Sequence, residues 1–573
     1  MIHTVDAVIV GSGIAGLRAA LELGPHLNVA VLTKVYPTRA HSGAAQGGIG
    51  AALGNEEPDS WEEHQFDTIK GGDYLTDQDA AEVLAQDAPR AIIELEHLGV
   101  PFNRTETGLI AQRAFGGHTR GFGEAPVKRA CYAADRTGRV LLDTLYTQAA
   151  GRGLVFYPEF QMVELLRQEE GVVGVVAYEL ATGDLHVFHA RAVLLATGGS
   201  GKVFKTTSNC FSNTGDGLFY AYRAGCPLED MEFVQFHPTG ISGLGILLSE
   251  AARGEGGILR NHAGERFMER YAPTIKDLAA RDVVSRAILS EVREGRGING
   301  GEDVHLDLTA LGADRLAEKL SDISSFVRIY LGLDPATDPI PVQPTCHYMM
   351  GGIPTNLDGQ ALDEVGQVIP GLYAAGESAC VSVHGANRLG CNSLTDLVVF
   401  GRRAGRAIAS DLQSHAQITL TKNPEEGAGQ QIEGLLASKG SERVAQLRGE
   451  MQQTMMDHCS VFRTGAGLER ALAKTKELQG RYQEISLVNQ GRRFNQELLE
   501  ALELESLLGI SEVIALSALE RTESRGAHYR EDYPERDDEQ WLQHTLVCRT
   551  PEGPSLSYKE VKITRFQPKP RVY

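Results

Sequence analysis

A glycine-rich turn near the N terminus constrains the fold of this chain more than any other feature. The apolar run VDAVIV is followed by Gly11-x-Gly13-x-x-Gly16 and then by a helical pattern. Such glycines allow a sharp turn, close approach of the backbone to a pyrophosphate and tight packing of helix on strand, with the anion at the helix N terminus. Because a strand precedes the motif and a helix follows it, a dinucleotide site is favoured over a tight turn without a ligand.

The second predicted strand, NVAVLTK, lacks the acid that usually holds a ribose in NAD sites. That acid is expected about 20 residues beyond the glycines. The strand instead ends in Thr33 and Lys34. NAD is therefore a weaker assignment for the dinucleotide.

Two later segments, 190–201 and 369–379, repeat the strand-then-glycine pattern. They lie far apart, which predicts one nucleotide-binding domain interrupted by an insertion. The length of 573 residues also exceeds what one core accommodates. We predict an α/β protein with a Rossmann-like domain over 1–232 and 345–412, an inserted α+β capping domain over 233–344, a helical domain over 413–525 and a small C-terminal domain over 526–573.

Finer expectations follow from local patterns. The first strand should start at about Asp6, which leaves no room for a signal or transit peptide. Helical periodicity runs through 431–458, 468–485 and 495–521, which predicts a helical bundle. After Arg525 the chain is charged and irregular up to QHTL, and from there it is strand-like through to the last stretch, KITRFQPKPRVY. No run approaches the roughly 18 apolar residues that a membrane-spanning helix needs.

Charge and cysteine usage exclude several classes of partner. The net charge of −20 argues against nucleic acid, since phosphate backbones are bound by basic surfaces. No cysteine pair has C-x-x-C spacing, so we expect free thiols and no disulfide framework, local metal site or iron–sulfur site. The eight cysteines are at positions 131, 210, 226, 346, 380, 391, 459 and 548.

The order of several motifs resembles the flavoprotein family of succinate dehydrogenase and fumarate reductase over nearly the whole chain. The motifs include PTRAHSGAAQGG, FVQFHPTG, SEAARGEGG, ARDVVSRA, PTCHYMMGGIPTN, HGANRLGCNSL and ESRGAHYREDYPERDD. The resemblance implies that FAD replaces NAD and that succinate is oxidised to fumarate. It also implies electron transfer through a separate iron–sulfur subunit to quinone, membrane anchor subunits, and a peripheral position on the cytoplasmic side of the cell membrane.

The resemblance assigns His41 as the residue that forms a covalent bond to the 8α-methyl carbon of FAD. Such a link withdraws electrons and raises the potential of the flavin, which a poor reductant such as succinate requires. The small residues around His41 would then lie against the isoalloxazine, and Glu377 would be the ribose partner. The implied FAD-binding residues are Gly11, Gly13, Gly16, Thr33, Lys34, His41, Ser42, Gln46, Gly47, Gly48, Asp216, Glu377, Ser393 and Leu394.

The family pattern also places the dicarboxylate chemistry. Cations, hydroxyls and imidazoles suit a substrate with two carboxylates. Arg281 matches the proton-transferring residue, with Glu250 and Arg253 at i,i+3 spacing as a relay, because arginine alone is a poor base. The implied dicarboxylate-binding residues are Phe115, His237, Ser249, His347 and Arg388. Ser249 stands where the family usually has Thr, which keeps the hydroxyl and removes a methyl.

Three alternatives remain at this stage. A fumarate reductase would run the reaction in reverse, although Gln46 matches the dehydrogenases and one group of reductases carries Glu there. L-Aspartate oxidase shares the active-site logic but lacks the linking histidine. An electron-transfer or assembly flavoprotein without a substrate of its own would not need paired carboxylate anchors.

Overall fold

The computed structural model describes residues 1–571. Six of the ten strands in the first predicted segment belong to one large sheet, and three others form a separate one. Up to residue 232 the elements are β1 (Ile2–Val10), α1 (Ile14–Glu22), β2 (Val29–Thr33), β3 (Ile49–Gly50), α2 (Trp61–Gly71), α3 (Gln78–His97), β4 (Gln112–Arg120), β5 (Ala125–Cys131), α4 (Thr137–Gly151), β6 (Val155–Pro158), β7 (Phe160–Gln168), β8 (Gly171–Glu179), β9 (Leu185–Leu195), α5 (Asp216–Arg223) and β10 (Leu228–Glu229).

The central segment forms another sheet, which is antiparallel, with helices beside it. Its elements are β11 (Val234–Ile241), α6 (Ala251–Gly254), β12 (Ile258–Arg260), α7 (Met268–Tyr271), α8 (Arg281–Arg293), β13 (Val304–Asp307), α9 (Gly312–Lys319), α10 (Ser321–Leu331) and β14 (Ile340–Met349). The strand order is β11-β14-β13-β12. The predicted boundary between residues 344 and 345 falls inside β14, and the domain limits remain a prediction.

The chain then returns to the large sheet before it enters the helical region. The remaining elements are β15 (Ile353–Pro354), β16 (Gln360–Leu362), β17 (Val368–Ala374), β18 (Ala379–Cys380), α11 (Asn392–Asp411), α12 (Glu426–Ala437), α13 (Val444–His458), α14 (Gly465–Tyr482), α15 (Gln496–Glu520), β19 (Gln543–Thr550) and β20 (Gly553–Glu560). Among the described residues, no helix combines the length and apolar character of a membrane span.

The large sheet has the strand order β16-β17-β9-β1-β2-β6, with the β7–β8 pair attached to β9. Strands β17, β9, β1, β2 and β6 run parallel. Helices α1 and α11 pack directly together, because a Cβ at Gly401 would lie 2.7 Å from the carbonyl oxygen of Ala15. Ligands bind at the carboxyl ends of such strands, so the sheet and these two helices position the site.

Three local expectations need correction. Strand β1 starts at Ile2 rather than near Asp6, since Ile2 pairs with Val187 of β9. The periodicity over 431–458 is broken between α12 and α13, where a Cβ at Gly440 would lie 1.8 Å from the carbonyl oxygen of Glu484. That close contact comes from a distant part of the chain.

The third correction concerns the C-terminal stretch. The first part of the predicted strand-like region forms β19 and β20, but residues 561–571 are an irregular segment, which suits the prolines at 568 and 570. The backbone amides of Thr564, Arg565 and Phe566 all donate to Oε1 of Gln78, at 3.1, 2.7 and 2.9 Å. Val572 and Tyr573, also in the predicted strand, lie outside the described residues.

Candidate active site

The glycine turn forms one end of a long cavity. Gly11 has φ +113°, and a Cβ there would lie 2.1 Å from the carbonyl oxygen of Ala196. Gly16 is equally constrained, since its Cβ would lie 2.1 Å from the carbonyl oxygen of Gly11. Gly13 is the N-cap of α1 and provides no side-chain cap, so the first amides of the helix face the cavity that Gly11 and Gly13 line. This end suits a pyrophosphate.

The end of β2 carries a buried charge cluster. Lys34 Nζ lies 2.8 Å from Asp216 Oδ2 and 2.5 Å from Glu503 Oε1 of α15. Gln161 Nε2 also donates to Asp216 Oδ2, at 2.8 Å, whereas Asp216 Oδ1 has no partner among the described residues. Thr33, Lys34 and Asp216 all line the cavity. Asp216 is therefore a second candidate for the ribose partner.

Glu377 lies farther along the same cavity, on the side of His41. Its Oε1 accepts from the amide of Met349 at 3.0 Å. Burial raises the pKa of Glu377, although the charge of His41 acts in the opposite direction. The prediction that Glu377 holds the ribose stays a prediction, with Asp216 closer to the end of β2.

His41 begins a 3₁₀ turn, His41–Ala44, at the edge of the cavity. Its Nδ1 accepts from the amide of Cys210 at 3.4 Å, and Nε2 lies 3.5 Å from Asn209 Nδ2. Burial lowers the pKa of His41, but the interaction with the Cys210 side chain and the charge of Glu377 outweigh burial and raise the pKa overall. Ser42 Oγ accepts from the amide of Ile14 at 3.3 Å, so this turn is tied to the start of α1.

Residues Gln46–Gly48 cross the middle of the cavity. Gln46 Oε1 accepts from the amide of Ser249 at 3.2 Å. A Cβ at Gly47 would lie 2.7 Å from Phe115 Cζ, so only glycine permits this contact. Gly48 has φ +135°. Ser393 and Leu394, in the first turn of α11, line the same space.

At the far end, two imidazoles and two guanidinium groups converge. His237 of β11 and His347 of β14 have ring centroids 5.1 Å apart. Gln235 Oε1 accepts from Arg281 Nη1 at 2.9 Å and from Arg388 Nη2 at 3.0 Å. All four of these ionisable residues line the cavity. His237 Nε2 and Arg388 Nε are buried and have no partner among residues 1–571.

The electrostatics of this end favour an anion. Burial, followed by the charge of Arg281, lowers the pKa of both His237 and His347 well below the ordinary value, so both rings are neutral. Burial and the charge of Arg281 also lower the pKa of Arg388, to about 10, which leaves it cationic at neutral pH. The Arg388 guanidinium lies 4.2 Å from the centroid of the Tyr348 ring. Two guanidinium groups therefore face the cavity, and Nε of Arg388 is free to bind a ligand.

Arg281, Glu250 and Arg253 are in contact, as their predicted roles require. Arg281 begins α8 and its Nε donates to Glu250 Oε2 at 2.8 Å. Arg253 Nη2 lies 3.6 Å from the same oxygen. Glu250 is the N-cap of the single turn α6 and Arg253 lies within it, and their i,i+3 spacing places both on one side of the turn. The roles of these residues in proton transfer remain a prediction.

Phe115 and Ser249 complete the lining of this end. The Phe115 ring packs against Gly47 and Gly390, where added Cβ atoms would lie 2.7 and 2.6 Å from it. Ser249 Oγ accepts from the amide of Ala251 at 3.2 Å. The hydroxyl thus faces the start of α6 and the cavity at once.

Comparison with known proteins identifies the family. Residues 6–394 match the FAD binding domain family and residues 448–573 match the fumarate reductase flavoprotein C-terminal family. The chain is 50% identical over 554 residues to the succinate dehydrogenase flavoprotein subunit of Coxiella burnetii, with 95% of this chain and 94% of the relative covered. The chain belongs to the succinate dehydrogenase and fumarate reductase flavoprotein family.

Other members of this flavoprotein family agree in sequence and in fold. The mitochondrial succinate dehydrogenase flavoprotein subunit of Oryza sativa is 47% identical, with 100% of this chain and 93% of the relative covered. A solved structure of Escherichia coli quinol fumarate reductase has a TM-score of 0.94 at 38% identity and covers 100% of this chain and 99% of its own. The predicted family and fold class are confirmed.

The cavity fits the FAD that members of this flavoprotein family bind. The empty space within it, counted together with its open mouth, is about 1560 Å³. It runs from the glycine turn through Gln46–Gly48 to His237 and Arg388. A dinucleotide and a small substrate can therefore lie end to end, and the assignment of FAD in place of NAD is confirmed.

Three residues that contact the predicted site residues were not predicted from the sequence. Gln235 orients Arg281 and Arg388, Ser208 Oγ lies 2.7 Å from His347 Nδ1, and Glu503 binds Lys34. Gln235 could have been found, because it lies two positions before His237 in a strand and so shares its face. Ser208 and Glu503 come from distant segments and carry no such signal.

Proposed function

We propose that the chain is the flavoprotein subunit of a succinate:quinone oxidoreductase and that it oxidises succinate to fumarate. The observation that carries this proposal is the convergence of Arg281, Arg388, His237 and His347 at the end of the FAD cavity. Two fixed cations and two neutral imidazoles match a small dianion with a carboxylate at each end. The named relatives support the same reaction.

Each carboxylate of succinate would meet a different pair of groups. Arg388 offers its free Nε and His347 its second ring nitrogen, while His237 Nε2 and the Ser249 hydroxyl serve the other end. Buried charge-assisted hydrogen bonds to carboxylates are short and directional, so they fix the two central carbons relative to the cofactor. Phe115 covers the apolar middle of the substrate. Gln235 holds both guanidinium groups in register.

When bound, FAD supplies the hydride acceptor. The chain must then remove a proton from the opposite face of the substrate, and Arg281 is the residue we assign to that step. Arg281 can accept the substrate proton only as it gives up one of its own, and Glu250 Oε2, 2.8 Å from Arg281 Nε, is the carboxylate that receives that proton. Arg253, 3.6 Å from the same oxygen, would extend the relay by the same exchange. We further propose that His41 is bonded covalently to FAD, through a ring exposed to the cavity.

The remaining partners follow from what the chain lacks and what its relatives are called. Among the described residues every cysteine is a free thiol, and electrons would leave through a separate iron–sulfur subunit. That subunit and membrane anchor subunits would hold this chain peripherally on the cytoplasmic side of the cell membrane, and quinone would be the final acceptor.

Anaerobic titration of the purified full chain with FAD bound tests the proposal. Succinate should bleach the flavin absorbance, malonate should compete, and L-aspartate should have no effect. Assays with an acceptor dye and succinate, and with a reduced viologen and fumarate, compare the two directions, and faster succinate oxidation is expected. Bleaching by L-aspartate would identify an aspartate oxidase, whereas no bleaching by any dicarboxylate would indicate an electron carrier.

A further inference from the structure

Two arginines are buried in the sheet formed by β3, β5 and β4, and they differ in how their charge is neutralised. Arg129 of β5 is fully buried and contacts Asp59 and Asp67, each at 2.6 Å. Arg113 of β4 is 6% exposed, yet within residues 1–571 no carboxylate oxygen lies within 4.0 Å of it. A buried cation without a counter-ion is costly, so it calls for an explanation.

The groups that accept hydrogen bonds from Arg113 are neutral and belong to the segment Gln46–Gly48. The charges of Glu255 and Asp135 act on Arg113 from beyond 4.0 Å. Nε donates to the carbonyl oxygen of Gly47 at 2.9 Å, and Nη2 donates to the carbonyl oxygen of Gln46 at 2.9 Å. The guanidinium also lies 4.6 Å from the centroid of the Tyr132 ring. Burial lowers the pKa of Arg113, but guanidinium groups remain protonated in proteins.

These hydrogen bonds determine which way the backbone faces. In a trans peptide the carbonyl and the following N–H point in opposite directions. Because the carbonyls of Gln46 and Gly47 point at Arg113, the amides of Gly47 and Gly48 point away from it, and these residues line the cavity. The Phe115 ring presses on Gly47 from another part of β4, which holds the segment in place.

We propose that Arg113 is a positioning residue that raises the reduction potential of FAD. The inference rests on the proposed position of the flavin ring against Gln46–Gly48. Succinate loses a hydride and a proton, and the hydride brings two electrons and one proton to FAD, so the cofactor gains one negative charge. The amides of Gly47 and Gly48 face that charge, and the cation of Arg113, which no carboxylate contacts, lies behind them. Both favour the reduced state over the oxidised state.

Substitutions at Arg113 separate its charge from its hydrogen bonds. Arg113→Lys keeps the positive charge but replaces the planar guanidinium with a single ammonium group. Arg113→Gln keeps a hydrogen-bond donor and removes the charge. The readout is the two-electron potential of the full chain with FAD bound, measured with redox dyes and no succinate. Arg113→Gln should favour the oxidised form at least tenfold, which is about 30 mV for a two-electron couple. Arg113→Lys should stay within about threefold of the unmodified chain.

A second pair of variants leaves Arg113 and its hydrogen bonds in place. Tyr132→Glu puts a carboxylate beside the guanidinium, and Tyr132→Gln is the uncharged control of the same shape. The Glu variant should have the lower potential, again by about tenfold in the equilibrium. This pair decides the question if Arg113→Gln does not fold. Melting temperature and bound flavin are recorded for every variant.

The proposal is overturned if Arg113→Gln keeps the unmodified potential, if Arg113→Lys falls as far as Arg113→Gln, or if the two Tyr132 variants have equal potentials. Because no measurement uses a dicarboxylate, a failure of succinate oxidation would leave these results interpretable.

Discussion

The Arg281 guanidinium contacts Glu250 through Nε and Gln235 through Nη1, so its planar fork is used in two directions. Lysine at this position keeps the charge but cannot make both contacts. We expect Arg281→Lys to lower turnover by roughly 10²–10⁴-fold, the range of a lost general acid or base, while malonate affinity changes much less.

The matched control is Arg388→Lys, which should raise the Kd for malonate more than it lowers turnover. Turnover and malonate affinity are measured side by side in both variants. Near-normal turnover in Arg281→Lys would show that Arg281 anchors a carboxylate and does not transfer the proton.

Arg388 and His347 differ from Arg281 in having no carboxylate partner among residues 1–571, and so they are free to bind the substrate. We expect Arg388→Ala and His347→Ala each to weaken dicarboxylate binding by about 2–4 kcal/mol, the scale of a lost charge-assisted contact to a buried anion. Isothermal titration with malonate measures the effect. Unchanged malonate affinity in both variants would show that the dicarboxylate does not bind to Arg388 and His347.

His41 is tested through the cofactor itself. In His41→Ala the chain should still bind FAD, because the glycine turn and the Lys34–Asp216 pair are untouched, but the FAD should be released by acid precipitation. Without the electron-withdrawing link the potential should fall, and succinate oxidation should decrease more than fumarate reduction. Flavin fluorescence in the precipitated chain is the readout. Flavin that stays attached in the variant would assign the link to another residue.

The hairpin of β19 and β20 is held to the rest of the molecule by a buried charge cluster, and it gives the prediction at the scale of an element. His544 Nδ1 lies 2.6 Å from Asp230 Oδ2, and Lys559 Nζ lies 2.7 Å from Glu229 Oε1. Burial and Lys559 lower the pKa of His544, but the carboxylates of Asp230 and Glu229 outweigh them and raise it to about 10.

Because the pKa of His544 is higher in the folded than in the unfolded protein, protonated His544 stabilises the fold fully below the unfolded value of about 6.5. That stabilisation is lost as the pH rises to about 10. We therefore expect the hairpin to lose on the order of a few kcal/mol of local stability across that window. Hydrogen exchange of β19 and β20 at several pH values measures it. His544→Gln should abolish the pH dependence, whereas His97→Gln, an exposed control on α3, should retain it.

Some of the helices and strands could be predicted from the sequence, and others could not. The start of α8 at Arg281 and the strand–turn–helix of β1 and α1 follow from local patterns, because their glycines, caps and periodicity lie within a few residues. The break between α12 and α13 depends on Gly440 meeting Glu484, and the irregular C-terminal stretch depends on Gln78. Contacts between distant segments leave no trace in a local pattern, and Glu503 was missed for the same reason.

At the scale of the whole molecule, the Lys34–Glu503 contact joins the FAD cavity to α15 of the helical region. Glu503→Gln removes one of two carboxylates from Lys34 and should weaken non-covalent FAD binding by about tenfold, or roughly 1.4 kcal/mol. The measurement is made in the His41→Ala background, where FAD can dissociate. Glu500→Gln, on the same helix but paired with Arg448, is the matched control. Equal FAD affinity in both variants would exclude the coupling.

The capping segment lies in the chain between two neighbouring strands of the large sheet, and this also affects how the molecule folds. Leu372 of β17 lies beside Val193 of β9, 179 positions earlier in the chain. The entropic cost of closing so long a loop grows only slowly with its length, so the final stability suffers little. The folding rate is reduced, because proteins dominated by pairings between distant parts of the chain fold slowly. Because β8 pairs with β9 only over residues 185–189, the apolar residues 193–195 of β9 keep an unpaired edge until β17 arrives, and during that interval the chain is most exposed to aggregation.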